Sequence, residues 1–285
     1  MTRAELVERL TRGDYSLSCS TLRAFTVSPD YFIAYCLRET KRTKAMRFGS
    51  MLHCLVLEPH RFAEFYATMP DGVKLNTNDG REAFFAFLSQ TAGDKMNDFE
   101  SELGRAATFR DYKALSEWLE LTQGIEFVNN TDRDNSHRMA EAILNDPRAA
   151  EIINTASEFE QAVDFDLAGW KWRGKIDIVN GCDIADLKKV KDADPRNRSL
   201  RWNLADDGYF VQQYVYRHAL GAPGENRVIC VDENCQVSVL KIGMETMLQA
   251  EVEFHKTMTA FEKCRFMGDW GRSFGFWSET GEFEI

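Results

Sequence analysis

Residues 170–190 read WKWRGKIDIVNGCDIADLKKV. Two apolar-rich runs flank Asn180-Gly181, and Asn-Gly in that setting is the strongest short-range signal for a β-hairpin. Side chains alternate along a strand. On the first strand Ile176 and Ile178 share one face, and Lys175, Asp177 and Val179 the other. On the second, Ile184, Asp186 and Lys188 share a face, with Ala185 and Leu187 opposite. Asp177, Asp186 and Lys188 can therefore meet at one end of a sheet. Two carboxylates and an ammonium among apolar strand residues are costly to leave dry and unpaired. A divalent metal with a phosphodiester substrate would satisfy all three. A solvent-facing salt bridge across the hairpin would use the same residues, and the tripeptide D-x-K alone does not choose between them.

Flanking segments add to the hairpin. Leu204 to Leu220, LADDGYFVQQYVYRHAL, has helical character, and Gln212 and Tyr216 lie four apart on one face. Phe48 to Pro59 reads FGSMLHCLVLEP, a helical apolar run carrying His53. Ser18 to Phe32 reads SCSTLRAFTVSPDYF, where Ser18 or Ser20 caps a helix before Leu22 and Phe25.

These segments carry a family resemblance. Asp177 followed by Asp186-Leu187-Lys188 on a hairpin resembles the PD-(D/E)XK nuclease core, with Ile176-Asp177 where that core has Pro-Asp. The Q-x-x-x-Y helix resembles the recombination-exonuclease branch of that superfamily. The 48–59 segment looks like the G-x-x-x-H-x-x-x-L-E-P stretch of the exodeoxyribonuclease VIII (RecE-type) nuclease domain, and the 18–32 segment resembles that family's opening. Four matches in the family's order are more specific than any one. The fold so implied is α/β, with a central mixed sheet flanked by helices and a helical N-terminal portion.

The resemblance implies a role for each matched residue. His53, Asp177, Asp186 and the Leu187 carbonyl would be metal ligands. Lys188 would orient the attacking water and offset charge on the scissile phosphate. Gln212 and Tyr216 would position the carboxylates or the DNA backbone. The chain departs from the family pattern after the lysine, with Lys189-Val190 where Thr-Thr is usual. Oxygen donors suit Mg²⁺, and one imidazole tilts the site toward Mn²⁺. Two such ions about 3.5–4 Å apart would activate water and stabilise the leaving oxygen. A histidine in an apolar run such as MLHCLVL is also an ordinary core residue, so the ligand reading of His53 rests on its flanking match.

The formal net charge is −10. Global charge sets long-range behaviour, but a local basic stripe still binds phosphates. One stripe is Arg38, Lys41, Arg42, Lys44 and Arg47, just before His53. A second is Lys189, Lys191, Arg196, Arg198 and Arg201, just after Lys188. Each is either a solvated face or part of a DNA groove, to which the serines of the opening segment, Ser18 and Ser20, would contribute. The second stripe adjoins Lys188 and favours the groove.

A chain of 285 residues without a Gly/Ser/Pro-rich linker or internal repeat is expected to form one nuclease domain over 1–285. Residues 1–157 read as mainly helical, and 158–285 as a catalytic β-meander, a helix and a C-terminal part. The periodicity predicts helices over 81–101, 107–123, 136–145, 148–156, 204–220 and 244–266. Strands are predicted over 158–167, 170–179, 182–190, 226–232 and 235–242. No run of about 18 apolar residues exists, and the N-terminus is not a signal peptide. The seven cysteines include no C-x-x-C pair, which argues against zinc and against an iron–sulfur cluster. A reducing cytoplasm fits, and the resemblance implies that it is that of a bacterium or of a phage's bacterial host.

The resemblance implies a metal-dependent exodeoxyribonuclease that degrades one strand of linear double-stranded DNA, 5′ to 3′, leaving 3′ single-stranded tails for recombination. It also implies a homo-oligomeric ring and a single-strand annealing recombinase as partner. A nuclease of the same core acting on single strands, flaps or internal sites is a second reading. A DNA- or partner-binding protein on a nuclease scaffold is a third.

Overall fold

The computed structural model describes residues 1–37, 43–221, 224–278 and 280. The chain divides into two compact units, one formed by 1–46 with 142–285 and the other by 47–141.

In chain order the first unit begins with α1 (Arg3–Arg12), β1 (Ser16–Leu17), α2 (Cys19–Val27) and α3 (Pro29–Cys36). Helix α4 (Lys44–Leu57) leads into the second unit. That unit continues with α5 (Phe62–Phe65), β2 (Tyr66–Thr68), α6 (Asn78–Ala92), α7 (Met96–Leu103), α8 (Tyr112–Gln123) and β3 (Glu126–Val128), and most of α9 (Asn130–Asn145). The chain then resumes the first unit with α10 (Pro147–Asn154), β4 (Glu158–Leu167), β5 (Trp170–Asn180) and β6 (Asp183–Lys189). It ends with α11 (Arg198–Asp206), α12 (Tyr209–Ala219), β7 (Asn226–Val231), β8 (Val237–Lys241) and α13 (Met244–Met267).

The first unit is a mixed α/β layer structure. Its sheet runs β1-β5-β6-β7-β8, with β4 also paired to β5. β4–β5, β5–β6 and β7–β8 are antiparallel, whereas β1–β5 and β6–β7 are parallel. The parallel step from β6 to β7 is crossed by α11 and α12, as a parallel pair requires. β7 is buried almost throughout, as expected of a strand covered on both faces. Helix α13 buries Met247, Ala250, Phe254, Met258, Phe261 and Cys264, spaced three or four apart, so a single stripe faces the sheet.

The core beneath that stripe is aromatic. Trp270 stacks on Phe32 at 5.6 Å between centroids, and Phe261 meets Phe25 at 5.0 Å and Trp170 at 5.2 Å edge to face. Each such pair contributes about 0.5–1.5 kcal/mol beyond area burial. The Trp172 indole N–H donates to the Leu167 carbonyl at 2.9 Å, so this buried ring keeps its polar atom satisfied. The N-terminal helices are well capped: Thr2 and Ser18 each form a capping box, worth about 1 kcal/mol apiece.

The second unit packs α6, α7 and α8 around Phe84, Leu88, Phe99, Leu115 and Leu119. Its two short strands, β2 and β3, run parallel from Tyr66↔Glu126 to Thr68↔Val128.

Several expectations are corrected. The β5–β6 loop is Gly181-Cys182, not Asn180-Gly181, because Asn180 pairs with Asp183 and Gly181 takes the left-handed conformation, φ 62°. The helix expected over 204–220 is two helices, α11 and α12. Gly208, at φ 73°, turns the chain between them and caps α12. The helix expected over 81–101 is likewise α6 and α7, separated by a short 3₁₀ turn. The strands β1, β2 and β3 were not expected; each is two or three residues long, too short to carry a period. Among the described residues no helix is long and apolar enough to cross a membrane.

Candidate active site

The β5–β6 hairpin opens where the site begins. Its ladder runs from Asn180↔Asp183 to Ile178↔Ala185 and stops there. One step on, the Asp177 Oδ2 accepts a hydrogen bond from the Leu187 backbone N–H at 2.9 Å. A carboxylate thus takes the place of a backbone acceptor. Asp177 and Asp186 are both buried.

Lys188 closes the pair. Its Nζ lies 2.5 Å from Asp186 Oδ2 and 3.9 Å from Asp177 Oδ2. Burial alone would lower the Lys188 pKa, but Asp186 and Asp177 outweigh it and hold the ammonium above the ordinary lysine value. The Tyr209 ring covers the ammonium, with Nζ 4.9 Å from its centroid, a cation–π contact at the first residue of α12. One turn along α12, Gln212 Nε2 donates to Asp186 Oδ1 at 2.9 Å. Tyr216, one turn further, lies against Gly174 of β5. A Cβ built at Gly174 would sit 2.6 Å from the Tyr216 ring. Burial pushes the Tyr216 phenol up, opposed by a hydrogen bond with the Lys175 backbone.

A third carboxylate joins from β4. The register pairs Phe159 with Ile178 and Gln161 with Ile176, which sets Glu160 opposite Asp177. Their carboxylates offer oxygens within 4.8 Å of each other. Glu160 has φ 51°, a conformation uncommon for a non-glycine residue and costing about 1–3 kcal/mol. Glu160 also forms an ion pair with Lys175. This residue escaped the sequence reading. Counting back from the Ala168-Gly169 turn would have placed it opposite Asp177.

The same face of β4 and β5 continues as a groove of about 670 Å³, lined by Ser18, Ser20, Asp164, Arg173, Lys175 and Gln212, among others. The pairs Ala162↔Lys175 and Asp164↔Arg173 extend the face that holds Glu160 and Asp177. Ser18 and Ser20 reach it from the start of α2, their hydroxyls 3.1 Å apart. Arg173 and Lys175 are exposed cations on this face that the basic-stripe argument did not include.

His53 is half-buried on α4, in the second unit. Lys44 is exposed at the start of that helix, and Arg47 lies 3.1 Å from Glu120 and 3.6 Å from Glu126. Arg38, Lys41 and Arg42 lie outside the described residues. In the second stripe Lys189 pairs with Glu233 at 2.7 Å and Arg196 with Asp194 at 2.7 Å. Lys191, Arg198 and Arg201 are exposed.

The donor set fits a hard divalent cation. Glu160, Asp177 and Asp186 bring three carboxylates to one locus, against two lysines. Oxygen-rich sites with residual negative charge select Mg²⁺ or Mn²⁺ over softer metals.

A mixed sheet whose splayed hairpin presents Asp and Asp-x-Lys, backed by a Gln-bearing helix, defines the PD-(D/E)XK nuclease fold. The chain belongs to the family described as "PDDEXK-like domain of unknown function (DUF3799)", whose model matches residues 18–265. No curated protein matches the sequence. Among solved structures, a Eubacterium rectale protein named as a candidate exonuclease has a similar fold. The TM-score is 0.54 at 13% identity, over 88% of this chain and 81% of that one.

Proposed function

We propose that this protein is a metal-dependent nuclease of the exodeoxyribonuclease VIII (RecE-type) kind. It would hydrolyse one strand of linear double-stranded DNA from its end, 5′ to 3′, leaving a 3′ single-stranded tail. The observation that carries the reading is the joint placement of Asp177, Asp186 and Lys188, with Gln212 fastened to Asp186.

Each group has a task in that reaction. Asp177, Asp186 and Glu160 hold one or two divalent cations, with the Leu187 carbonyl and His53 as further ligands on the strength of the sequence resemblance. Bound there, the cation lowers the pKa of water and offsets charge on the leaving oxygen. Lys188 keeps its proton and places a fixed positive charge beside the scissile phosphate, where negative charge grows in the transition state. Tyr209 and Gln212 fix Lys188 and Asp186, so little reorganisation is needed. Ser18, Ser20, Arg173 and Lys175 guide the backbone toward the carboxylates. Ring assembly and a strand-annealing partner belong to the same reading and rest on the sequence resemblance.

The test uses linear duplex DNA labelled at the 5′ end of one strand or the 3′ end of the other, with Mg²⁺ or Mn²⁺. A closed circle and Asp186→Ala serve as controls. Early loss of the 5′ label alone, an intact circle and an inert mutant are expected. Cutting of the circle would make the protein an endonuclease. No cutting with either metal would sink the nuclease reading.

A further inference from the structure

Helix α11 carries an exposed indole, Trp202, on the same exposed side as two arginines. We propose that Trp202, with Arg198 and Arg201, forms a stacking platform for single-stranded nucleic acid. The proposal deepens the nuclease reading and rests on it for the identity of the substrate.

The helix has two unlike faces. Leu200 and Leu204 are buried against Ala193, Val228 and Cys230. Arg198, Arg201 and Trp202 point away from that core, and Trp202 is 67% exposed. Arg198 lies four residues before Trp202 and three before Arg201, so its side chain neighbours both on the helix surface. Asn197 caps the helix, its side chain accepting from the Ser199 N–H at 3.0 Å, which fixes the first turn where Arg198 stands.

Charge points to the occupant. Most arginines with ion pairs here are neutralised locally, as Arg196 is by Asp194. Among the described residues Arg198 and Arg201 take part in no ion pair. Asp206, one turn beyond Trp202, is the acid on the exposed side of α11. In a chain of net charge −10, two uncommitted guanidiniums beside an exposed indole suit an anionic ligand with flat faces. A base stacks on an indole with about 1–3 kcal/mol, regardless of sequence. Bases inside a duplex keep their faces covered, so a single strand or a frayed end is the form that can use the platform. A protein partner fits less well. Ser199, Arg201 and Asn203 are polar and exposed, and the apolar patch is one side chain, whereas protein interfaces bury their anchors in a larger apolar centre.

Connectivity gives the platform a purpose. α11 stands between β6, which carries Asp186 and Lys188, and α12, which carries Gln212. A strand held on α11 is held on the segment that joins the two halves of the site.

The experiment measures anisotropy of a labelled oligo(dT) with the full chain in EDTA, so that nothing is cut. Trp202→Ala should weaken binding about 5- to 100-fold, and Trp202→Phe should recover part of the loss. The double variant Arg198→Ala, Arg201→Ala should reduce the slope of log K against log salt by about 1.4, at roughly 0.7 per phosphate contact. Unchanged binding by Trp202→Ala overturns the platform. So does a variant whose only change is its oligomeric state by light scattering, which would make Trp202 a self-association contact. Cleavage by the wild type is measured in parallel. Trp202-dependent binding without cleavage supports the platform and overturns the nuclease reading. Cleavage with Trp202-independent binding does the reverse.

Discussion

Asp177 accepts the backbone N–H of Leu187 at 2.9 Å, across the gap where the β5–β6 ladder has ended. The carboxylate therefore has two duties. It satisfies a buried amide, and it supplies negative charge to the site. Asp177→Asn separates them, because its side-chain oxygen can still accept that hydrogen bond. We expect thermal stability within a few degrees of wild type, loss of DNA cleavage by about 10² or more, and a weakened Mn²⁺ titration. A variant that melts far below wild type would show that the charge, not only the acceptor, holds the hairpin open.

Helix α12 sets Lys188 and Asp186 through two residues three apart, Tyr209 and Gln212. Tyr209→Leu should lower kcat with little change in KM, since the ring touches the ammonium rather than the substrate. Tyr209→Phe should restore most of kcat, because the cation–π contact needs the ring alone. Gln212→Ala should raise the metal concentration for half-activity by about 10- to 100-fold, the scale of losing a partner that orients a ligand. A KM effect equal to the kcat effect in Tyr209→Leu would place that ring against substrate instead.

Gly174 leaves room for the Tyr216 ring, and a methyl there would lie 2.6 Å from it. Gly174→Ala should cost about 1–3 kcal/mol of stability in denaturant unfolding, the range for overpacking a filled interior. The cost should shrink in a Tyr216→Ala background, so the two changes should not add. Additive losses would mean that the ring moves aside freely.

In the second unit Arg105 grips Asp111 with two hydrogen bonds, of 2.6 and 2.8 Å, and the Thr108 N–H adds a third at 2.8 Å. The Arg105 guanidinium, followed by the Thr108 amide, holds the Asp111 carboxyl down at about 2. A depressed carboxyl stabilises the fold above its unfolded pKa. That contribution fades as pH falls from the unfolded value of 3.8 through about 2. Asp111→Asn should therefore lower stability at pH 7 by about 1 kcal/mol, allowing for solvent screening of an exposed arginine, and match wild type near pH 2. Melting curves across pH 2–7 check this, and a constant difference throughout would remove the charge from the account.

The site was legible where alternation or helical spacing could be counted over short distances. Period two placed Asp177, Asp186 and Lys188 together, and period 3.6 set Gln212 and Tyr216 on one face. Glu160 was not seen because its position depends on a strand register, which only the turn at Ala168-Gly169 fixes. Tyr209 was not seen because an aromatic ring beside a lysine leaves no pattern in sequence. The division of α11 from α12 was hidden because apolar periodicity continues across Gly208, whose left-handed backbone re-aims the chain. β1 was beyond reach for another reason: Ser16 pairs with Lys171, and no local window contains both.

That last pairing bears on how the molecule comes into being. The second unit is one continuous stretch, 47–141, whereas the first is interrupted by it. On a ribosome the second unit is finished while β5, the neighbour of β1, is still unmade. The aromatic core of α2 and α3 waits longer still, for Phe261 and Trp270. Helices α2 and α3 are thus made well before the residues that bury them, and during synthesis their apolar faces depend on Phe261 and Trp270, which follow much later in the chain.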